Sequence, residues 1–266
     1  MEVSEILQQK STLRKHVIAK RDKIDEGVRV GKSHLICDQL LDLLDTNADT
    51  NGCKDTDVAG AMTPAVVVGS SNAATDLPAA VAGLSACPLK IAVYQAMGSE
   101  VDLQDFILAA YKTGMRICFP CMTEASFDVA KPWLKGRRML FYEVSEEDYR
   151  NKQAAFLRNP LEICSADDVM NQGFLQVPPE SIDMVVVPVV AFDGDNYRLG
   201  YGGGNYDGFL SLVYALNNDV FLSRETATSE TRERPVIVAG AAFIEQEVDC
   251  VPHEEHDLRL PLIITA

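Results

Sequence analysis

The sequence lacks an excess of positive charge: 24 lysines and arginines stand against 39 aspartates and glutamates, for a formal net charge of -15 over 266 residues. Affinity for a nucleic-acid backbone comes mainly from basic side chains that displace counterions, so no nucleic-acid partner is expected. A small anionic ligand needs only a local positive pocket and stays open. No apolar run approaches the roughly 18 residues of a membrane span, which argues against membrane insertion. The opening MEVSEILQQKSTLRKHVIAKRDK mixes charges of both signs and has no apolar stretch of the secretory kind. It reads as mature protein of cytoplasmic location, with an organelle as the alternative.

A paired cysteine framework is also missing. The seven cysteines, at 37, 53, 87, 118, 121, 164 and 250, are odd in number and scattered, which suits reduced thiols. Cys118 and Cys121 have the C-x-x-C spacing of redox and zinc sites, but no second pair or suitably spaced histidines complete a tetrahedral site. They end an apolar strand-like run instead of opening a helix, where a thiolate would be stabilised, so a structural role is expected. HEEHD suggests a metal site through His253, His256 and Asp257, yet it is not the i, i+4 pattern of H-E-x-x-H and follows Pro252 in a loop. Only Asp257 is retained as a candidate ligand.

What is present is a regular alternation of strand-like and helix-like text. Val3, Ile6, Leu7, Leu13, Val17, Ile18 and Ile24 recur at mostly helical steps, with Lys10, Arg14 and Arg21 on or near one line of that helix. SHLICDQLLDLLD (33–45) repeats the helical pattern. From 46 to 88 small and polar residues dominate, which predicts an inserted surface segment. Strand, helix and strand then follow at 89–95, 102–114 and 115–120, the unit of a parallel sheet. A strand at 137–144, a helix over 145–157 capped by Ser145, and a buried strand at 183–192 come next. A helix from about 206 to 216, a second insertion at 217–234 and strands at 235–243 and 261–266 complete the chain. The expectation is a single three-layer α/β domain over 1–266 with a central, largely parallel sheet flanked by helices, in which ligands bind beyond the carboxyl ends of the strands.

RLGYGGGNYDG (198–208) falls at such an end. It has neither the P-loop order nor G-x-G-x-x-G, and one glycine would suffice for a turn. Three consecutive glycines, Gly202 to Gly204, suit close backbone approach to a ligand. The N–H groups of the loop and of the next helix's first turn can converge on phosphate oxygens, with Arg198 adding a bidentate contact. Asp207 can either cap that helix or hold magnesium beside the phosphates; spacing alone leaves the two even.

The stretch VPVVAFDGDNYRLGYGGGNYDGFL resembles the signature of the 5-formyltetrahydrofolate cyclo-ligase family, whose members are also called methenyltetrahydrofolate synthetases. KSTLRKHVIAKRD, YQAMGSEVDLQDFI, AYKTGMRICFP and VAGAAFIEQEVDCVPHEEHDLRLPLIIT are similar to further family segments in the same order. The resemblance implies an enzyme that uses ATP and magnesium to convert 5-formyltetrahydrofolate to 5,10-methenyltetrahydrofolate. The formyl oxygen is phosphorylated, the neighbouring folate nitrogen closes the ring, and ADP and phosphate are released.

Matched position by position, the resemblance implies ATP contacts from Lys10, Arg14, Arg198, Leu199, Gly200, Tyr201, Gly202, Gly203, Gly204, Asn205 and Tyr206. It implies folate contacts from Gln95, Glu100 and the Tyr201–Asn205 stretch, and magnesium at Asp207 and Asp257. From the residues alone, a solvated helix face is the default for Lys10 and Arg14, and Glu100 could cap the helix near Asp102. Gly203 stands where some family members carry lysine, although glycine also fits the family there, and Asn205 and Gly208 stand where an aromatic residue and arginine are common. They motivate a second reading, a non-catalytic folate- or nucleotide-binding protein of the same fold. A nicotinamide-dependent oxidoreductase rests on fold analogy alone. The expected assembly is a monomer, with a homodimer as the alternative. Asp207→Asn is expected to leave stability nearly unchanged while weakening magnesium-dependent turnover.

Overall fold

The computed structural model describes residues 3–49, 88–124, 137–223, 235–254 and 257–266. Most of the two expected insertions, 50–87 and 224–234, lies outside these residues. Helices α1 (Val3–Arg21) and α2 (Glu26–Asp49) open the chain, followed by β1 (Lys90–Ala92), α3 (Gln104–Lys112) and β2 (Arg116–Glu124). Then come β3 (Arg137–Val144), α4 (Glu146–Arg150), α5 (Ala155–Arg158), β4 (Ile163–Cys164), α6 (Ala166–Asn171) and β5 (Leu175–Val177). The last third holds β6 (Met184–Pro188), β7 (Ala191–Phe192), β8 (Arg198–Leu199), α7 (Asn205–Ser223), β9 (Ile237–Ala242) and β10 (Leu262–Thr265).

The main sheet has the order β10-β9-β6-β1-β2-β3-β5, with β4 beside β2. Strands β10, β9, β6, β1 and β2 run parallel, and β3 and β5 extend the sheet antiparallel. Alternation along β1 sends Ile91 and Val93 to one face and Ala92 to the other. The first face packs against Ile36 and Leu40 of α2, Phe106 of α3 and Phe156 of α5; the second packs against Phe209, Leu210 and Val213 of α7. This is the expected three-layer α/β architecture. Helix α1 stands outside both cores, where Val17 packs with Ala191, Leu199 and Val251.

Four local expectations need correction. The helix foreseen over 145–157 is broken in two: Ser145 does cap α4, its Oγ accepting from the Asp148 N–H at 3.1 Å, but Lys152 at φ 47° turns the chain out of the helix. The strand foreseen over 183–192 stops at Pro188. Gln246 Nε2 donates to the carbonyls of Val189 (2.6 Å) and Val190 (3.0 Å), and β7 and β8 form a separate antiparallel hairpin. The helix expected to end near 216 continues to Ser223, and α2 likewise runs past 45 to Asp49.

Strand geometry also decides the C-x-x-C spacing. Three steps along β2 place Cys118 on the α7 side of the sheet and Cys121 on the other. They cannot share an ion or a disulfide, and burial pushes the Cys118 thiol up to about 12 and raises Cys121 as well.

Strand order steps from β1 to β2 in one direction and from β6 to β9 and β10 in the other. The reversal falls between β1 and β6, and an open parallel sheet leaves a crevice at the carboxyl ends of such strands.

Candidate functional site

A cavity lies at that crevice. Tyr94 and Gln95 after β1, Pro120 and Met122 in β2, and Pro188 at the end of β6 form its floor. The loop from β8 to α7 forms one wall, α1 contributes Leu7, Lys10 and Arg14, and Glu254 and Asp257 close the far end. The cavity thus gathers every candidate residue: Lys10, Arg14, Gln95, Glu100, Arg198 through Asp207, and Asp257.

The glycine loop is shaped by close approach. Gly202 (φ +92°) and Gly204 (φ +66°) occupy the left-handed region. A Cβ on Gly202 would lie 3.1 Å from the Arg14 guanidinium carbon, whose Nε donates to the Gly200 carbonyl at 2.6 Å. A Cβ on Gly203 would lie 2.7 Å from Asn205 Nδ2, so the residues at these two positions are sterically linked. Helix α7 begins at Asn205, and its first N–H groups have no partner within the helix. They stand at the wall of the cavity, where the helix dipole favours an anion.

The basic residues of α1 are not a solvated face. Lys10 is 6% exposed, and its Nζ reaches Glu254 Oε2 at 2.9 Å and Asp257 Oδ2 at 2.5 Å. Burial lowers the pKa of Arg14, against the opposing pull of Asp257. The side chain of Arg198 is 3% exposed, with Nη2 donating to Asp207 Oδ1 (2.8 Å) and Nη1 to the Leu258 carbonyl (2.8 Å). Asp207 Oδ1 also accepts from the Leu258 N–H at 3.5 Å. The carboxylate therefore bonds away from its own helix, and the capping reading gives way to a tie between the glycine loop and the carboxyl-terminal segment. It holds a buried cation, so the expectation that Asp207→Asn leaves stability unchanged is revised.

At the other end, Glu100 Oε2 accepts from the Met97 N–H at 2.7 Å within the 97–100 turn and does not cap α3. Asp102 serves the start of α3 instead, accepting from the Gln104 N–H at 3.0 Å. Glu100 is 7% exposed; burial raises its carboxyl pKa, while the Met97 N–H, Arg21 and Tyr201 pull it back. Buried side-chain atoms without a hydrogen-bond partner among the described residues include Gln95 Oε1, Glu100 Oε1, Asn205 Oδ1 and Tyr206 OH, all from residues lining this cavity. Native structures leave few such groups, and their concentration at one cavity marks a place shaped for a ligand.

A family model described as the 5-formyltetrahydrofolate cyclo-ligase family matches residues 86–266. The chain belongs to this family. The 5-formyltetrahydrofolate cyclo-ligase of Escherichia coli (strain K12) is 28% identical over 176 residues, which cover 66% of this chain and 76% of that protein. The cyclo-ligase of Mycoplasma pneumoniae is 35% identical over 86 residues, 32% of this chain and 40% of the relative. Two solved 5,10-methenyltetrahydrofolate synthetases share the fold. The one from Mycoplasma pneumoniae has a TM-score of 0.53 at 19% identity, covering 96% of this chain and 97% of its own. The one from Aquifex aeolicus has 0.52 at 20%, covering 96% and 89%. This cyclo-ligase family member is accordingly an enzyme of the ligase class, within folate one-carbon metabolism.

Sequence reasoning left Arg21, Ser99 and Glu254 without a role at the site. Arg21 shared the basic line of α1 and Glu254 adjoined Asp257 in HEEHD, so both carried a weak signal; Ser99 carried none. His253, set aside as a ligand, stacks on Tyr197 with ring centroids 3.7 Å apart. No described helix is long and apolar enough to cross a membrane.

Proposed function

We propose that this ligase uses ATP and magnesium to convert 5-formyltetrahydrofolate to 5,10-methenyltetrahydrofolate, ADP and phosphate. The observation that carries the reading is the cavity's two-ended chemistry. One end joins a glycine loop and a helix N-terminus to Lys10, Arg14 and Arg198; the other holds the acceptors Gln95 Oε1 and Glu100 Oε1, which have no partner among the described residues. The first suits a triphosphate. The second suits the N–H and NH2 donors of a reduced pterin ring.

The donor set fits magnesium. Asp207 and Asp257 line the cavity, and among the described residues no group of three His, Cys, Asp or Glu could hold an ion by protein ligands alone. Magnesium commonly takes one or two carboxylates and completes its shell with phosphate oxygens and water. Bound there, it would neutralise charge on the transferring phosphoryl group.

The formyl oxygen takes the γ-phosphoryl group as the bond to ADP breaks; the neighbouring folate nitrogen then attacks the activated carbon and phosphate leaves. The chain contributes positioning and charge. Backbone N–H groups of Gly202–Asn205 cradle phosphate oxygens, and Gln95 and Glu100 orient the ring. Lys10 and Arg198 exchange their carboxylate partners for phosphates, which frees Asp257 and Asp207 for the metal. Tyr201 through Asn205 stand where the two ligands meet.

The test is the appearance of methenyltetrahydrofolate absorbance from 5-formyltetrahydrofolate with ATP and magnesium. Absence of ATP-dependent product overturns the proposal. Ligand binding without turnover would identify a non-catalytic folate- or nucleotide-binding protein of this fold, the reading that Gly203, Asn205 and Gly208 favour.

A further inference from the structure

Arg21, in the last turn of α1, does not line the cavity but stands directly behind it. It is 3% exposed, and such a cation is rarely buried without a purpose. Its Nε donates to Ser99 Oγ at 2.9 Å and its Nη2 to Tyr201 OH at 3.0 Å. Ser99 Oγ in turn donates to Asp22 Oδ1. The third nitrogen, Nη1, is shielded from water and has no partner among the described residues. One guanidinium thus ties three separate segments together: the end of α1, the 97–100 turn that carries Glu100, and the glycine loop.

Resting on the cyclo-ligase reading, we infer that Arg21 is a positioning residue for the folate end of the site. Its fork holds the Tyr201 and Ser99 hydroxyls at a fixed separation, so that the Glu100 carboxylate, next to Ser99 in the chain, meets the ring of the substrate in one orientation. The planar fork matters as well as the charge, because a lysine ammonium reaches Ser99 or Tyr201 but does not hold both in fixed geometry. The ATP end is served separately by Lys10, Arg14 and Arg198.

Arg21 also faces Glu100 electrically. The groups around that carboxyl are Arg21 from α1, the Met97 N–H from the turn, Tyr94 after β1, Tyr201 from the loop and Tyr206 from α7. Arg21 alone among these side chains carries positive charge. Removing it leaves burial unopposed by a cation and raises the Glu100 carboxyl further, so the proton stays on to higher pH.

The experiment compares Arg21→Lys, Arg21→Met and Tyr201→Phe with the wild-type enzyme. Arg21→Lys should raise KM for 5-formyltetrahydrofolate about tenfold or more, as expected for losing a charge-assisted bond, with KM for ATP nearly unchanged. Arg21→Met should in addition move the acidic limb of kcat/KM for the folate to higher pH, and Arg21→Lys should not. Tyr201→Phe, which loses only the hydroxyl, should shift the folate KM in the same direction by less and serves if the Arg21 variants do not fold. Equal rises in both KM values, or an unchanged folate KM, overturn the inference while the cyclo-ligase reading stands. An inactive wild type overturns the catalytic reading instead, and the inference is then read from equilibrium binding of 5-formyltetrahydrofolate. Wild-type affinity lost in Arg21→Lys supports it; no binding to the wild type, or equal affinity, sinks it.

Discussion

At the glycine-loop end of the cavity the charged side chains already have partners: Lys10 with Glu254 and Asp257, and Arg198 with Asp207 and the Leu258 carbonyl. At the 95–100 end, Gln95 Oε1, Glu100 Oε1 and Tyr206 OH are buried without partners among the described residues, and Glu100 has its carboxyl pKa raised by burial. The two ends prepare for ligands in opposite ways. Ion pairs keep the charged groups of the first end organised without a ligand, although Asn205 Oδ1 there also lacks a partner among the described residues, and binding is mainly an exchange of partners. The second end holds unsatisfied groups, each a cost of roughly 1–3 kcal/mol when buried, which the rest of the fold offsets and a bound donor would relieve. Mutations at the paired end should therefore damage folding together with turnover, whereas mutations at the unpaired end should separate them.

The largest effect is expected at the paired end. Asp207→Asn removes the charge opposite a buried guanidinium and a proposed metal ligand together. Turnover should fall by about 10²- to 10³-fold, the range for losing one group that stabilises transition-state charge. Stability should fall by roughly 1–3 kcal/mol. Melting curves in the presence of EDTA isolate the structural share; an unshifted melting temperature there would break the contrast between the ends.

Glu100→Gln probes the unpaired end. Its raised carboxyl pKa means that the folded state holds the proton more tightly than the unfolded chain, so ionisation destabilises the fold. The sign follows: the stability contribution is fully present below the unfolded carboxylate range near about 4.3 and is lost as pH rises through the folded value. The glutamine variant should gain about 1 kcal/mol at neutral pH, with the gain fading in acid, while KM for the folate rises roughly 10- to 100-fold. Urea titrations at two pH values and steady-state kinetics check both. A variant less stable at neutral pH would show that Glu100 is satisfied after all.

Gly202→Ala tests the wall between the ends. Residue 202 sits at φ +92° with the Arg14 guanidinium carbon 3.1 Å from where a Cβ would stand. Alanine should cost about 1–2 kcal/mol and raise both KM values a few-fold, because the loop serves both ligands. A rise in only one would assign the loop to that end alone. The smallest effect belongs to a position outside both: Cys118→Ala should change stability by about 1 kcal/mol and leave turnover intact. Loss of turnover without loss of folding would reopen the C-x-x-C pair as a functional site.

Much of this was legible in the residues. MVVVPVV announced a strand buried on both faces, and the run of glycines announced a backbone that something approaches closely. The resemblance to the cyclo-ligase family implied that Lys10, Arg14, Gln95, Glu100 and Asp257 belong beside that loop; from the residues alone, Lys10 and Arg14 read as a solvated helix face. Boundaries were less legible. The end of α4 depends on Lys152 adopting φ 47°, and the end of β6 depends on Gln246, 57 positions away from Val189, claiming a carbonyl. Neither is a local propensity. Arg21 was visible as a basic helix residue, but the sequence could not say that it would be buried between Ser99 and Tyr201.

By itself the sequence determined the layers of the fold, through apolar periodicity, and the shape of the glycine loop, because glycine readily takes φ values near +92° and +66° without a steric penalty. Its net charge of -15 leaves cations to act only locally. The tertiary structure alone decided which charges meet. Lys10 and Asp257 are 247 positions apart, and their 2.5 Å contact depends on how α1 docks through Val17 on the β7–β8 hairpin. Side-chain pairing at that separation is set by the path of the whole chain, and so is the difference between an end that satisfies itself and an end left to be satisfied by a ligand.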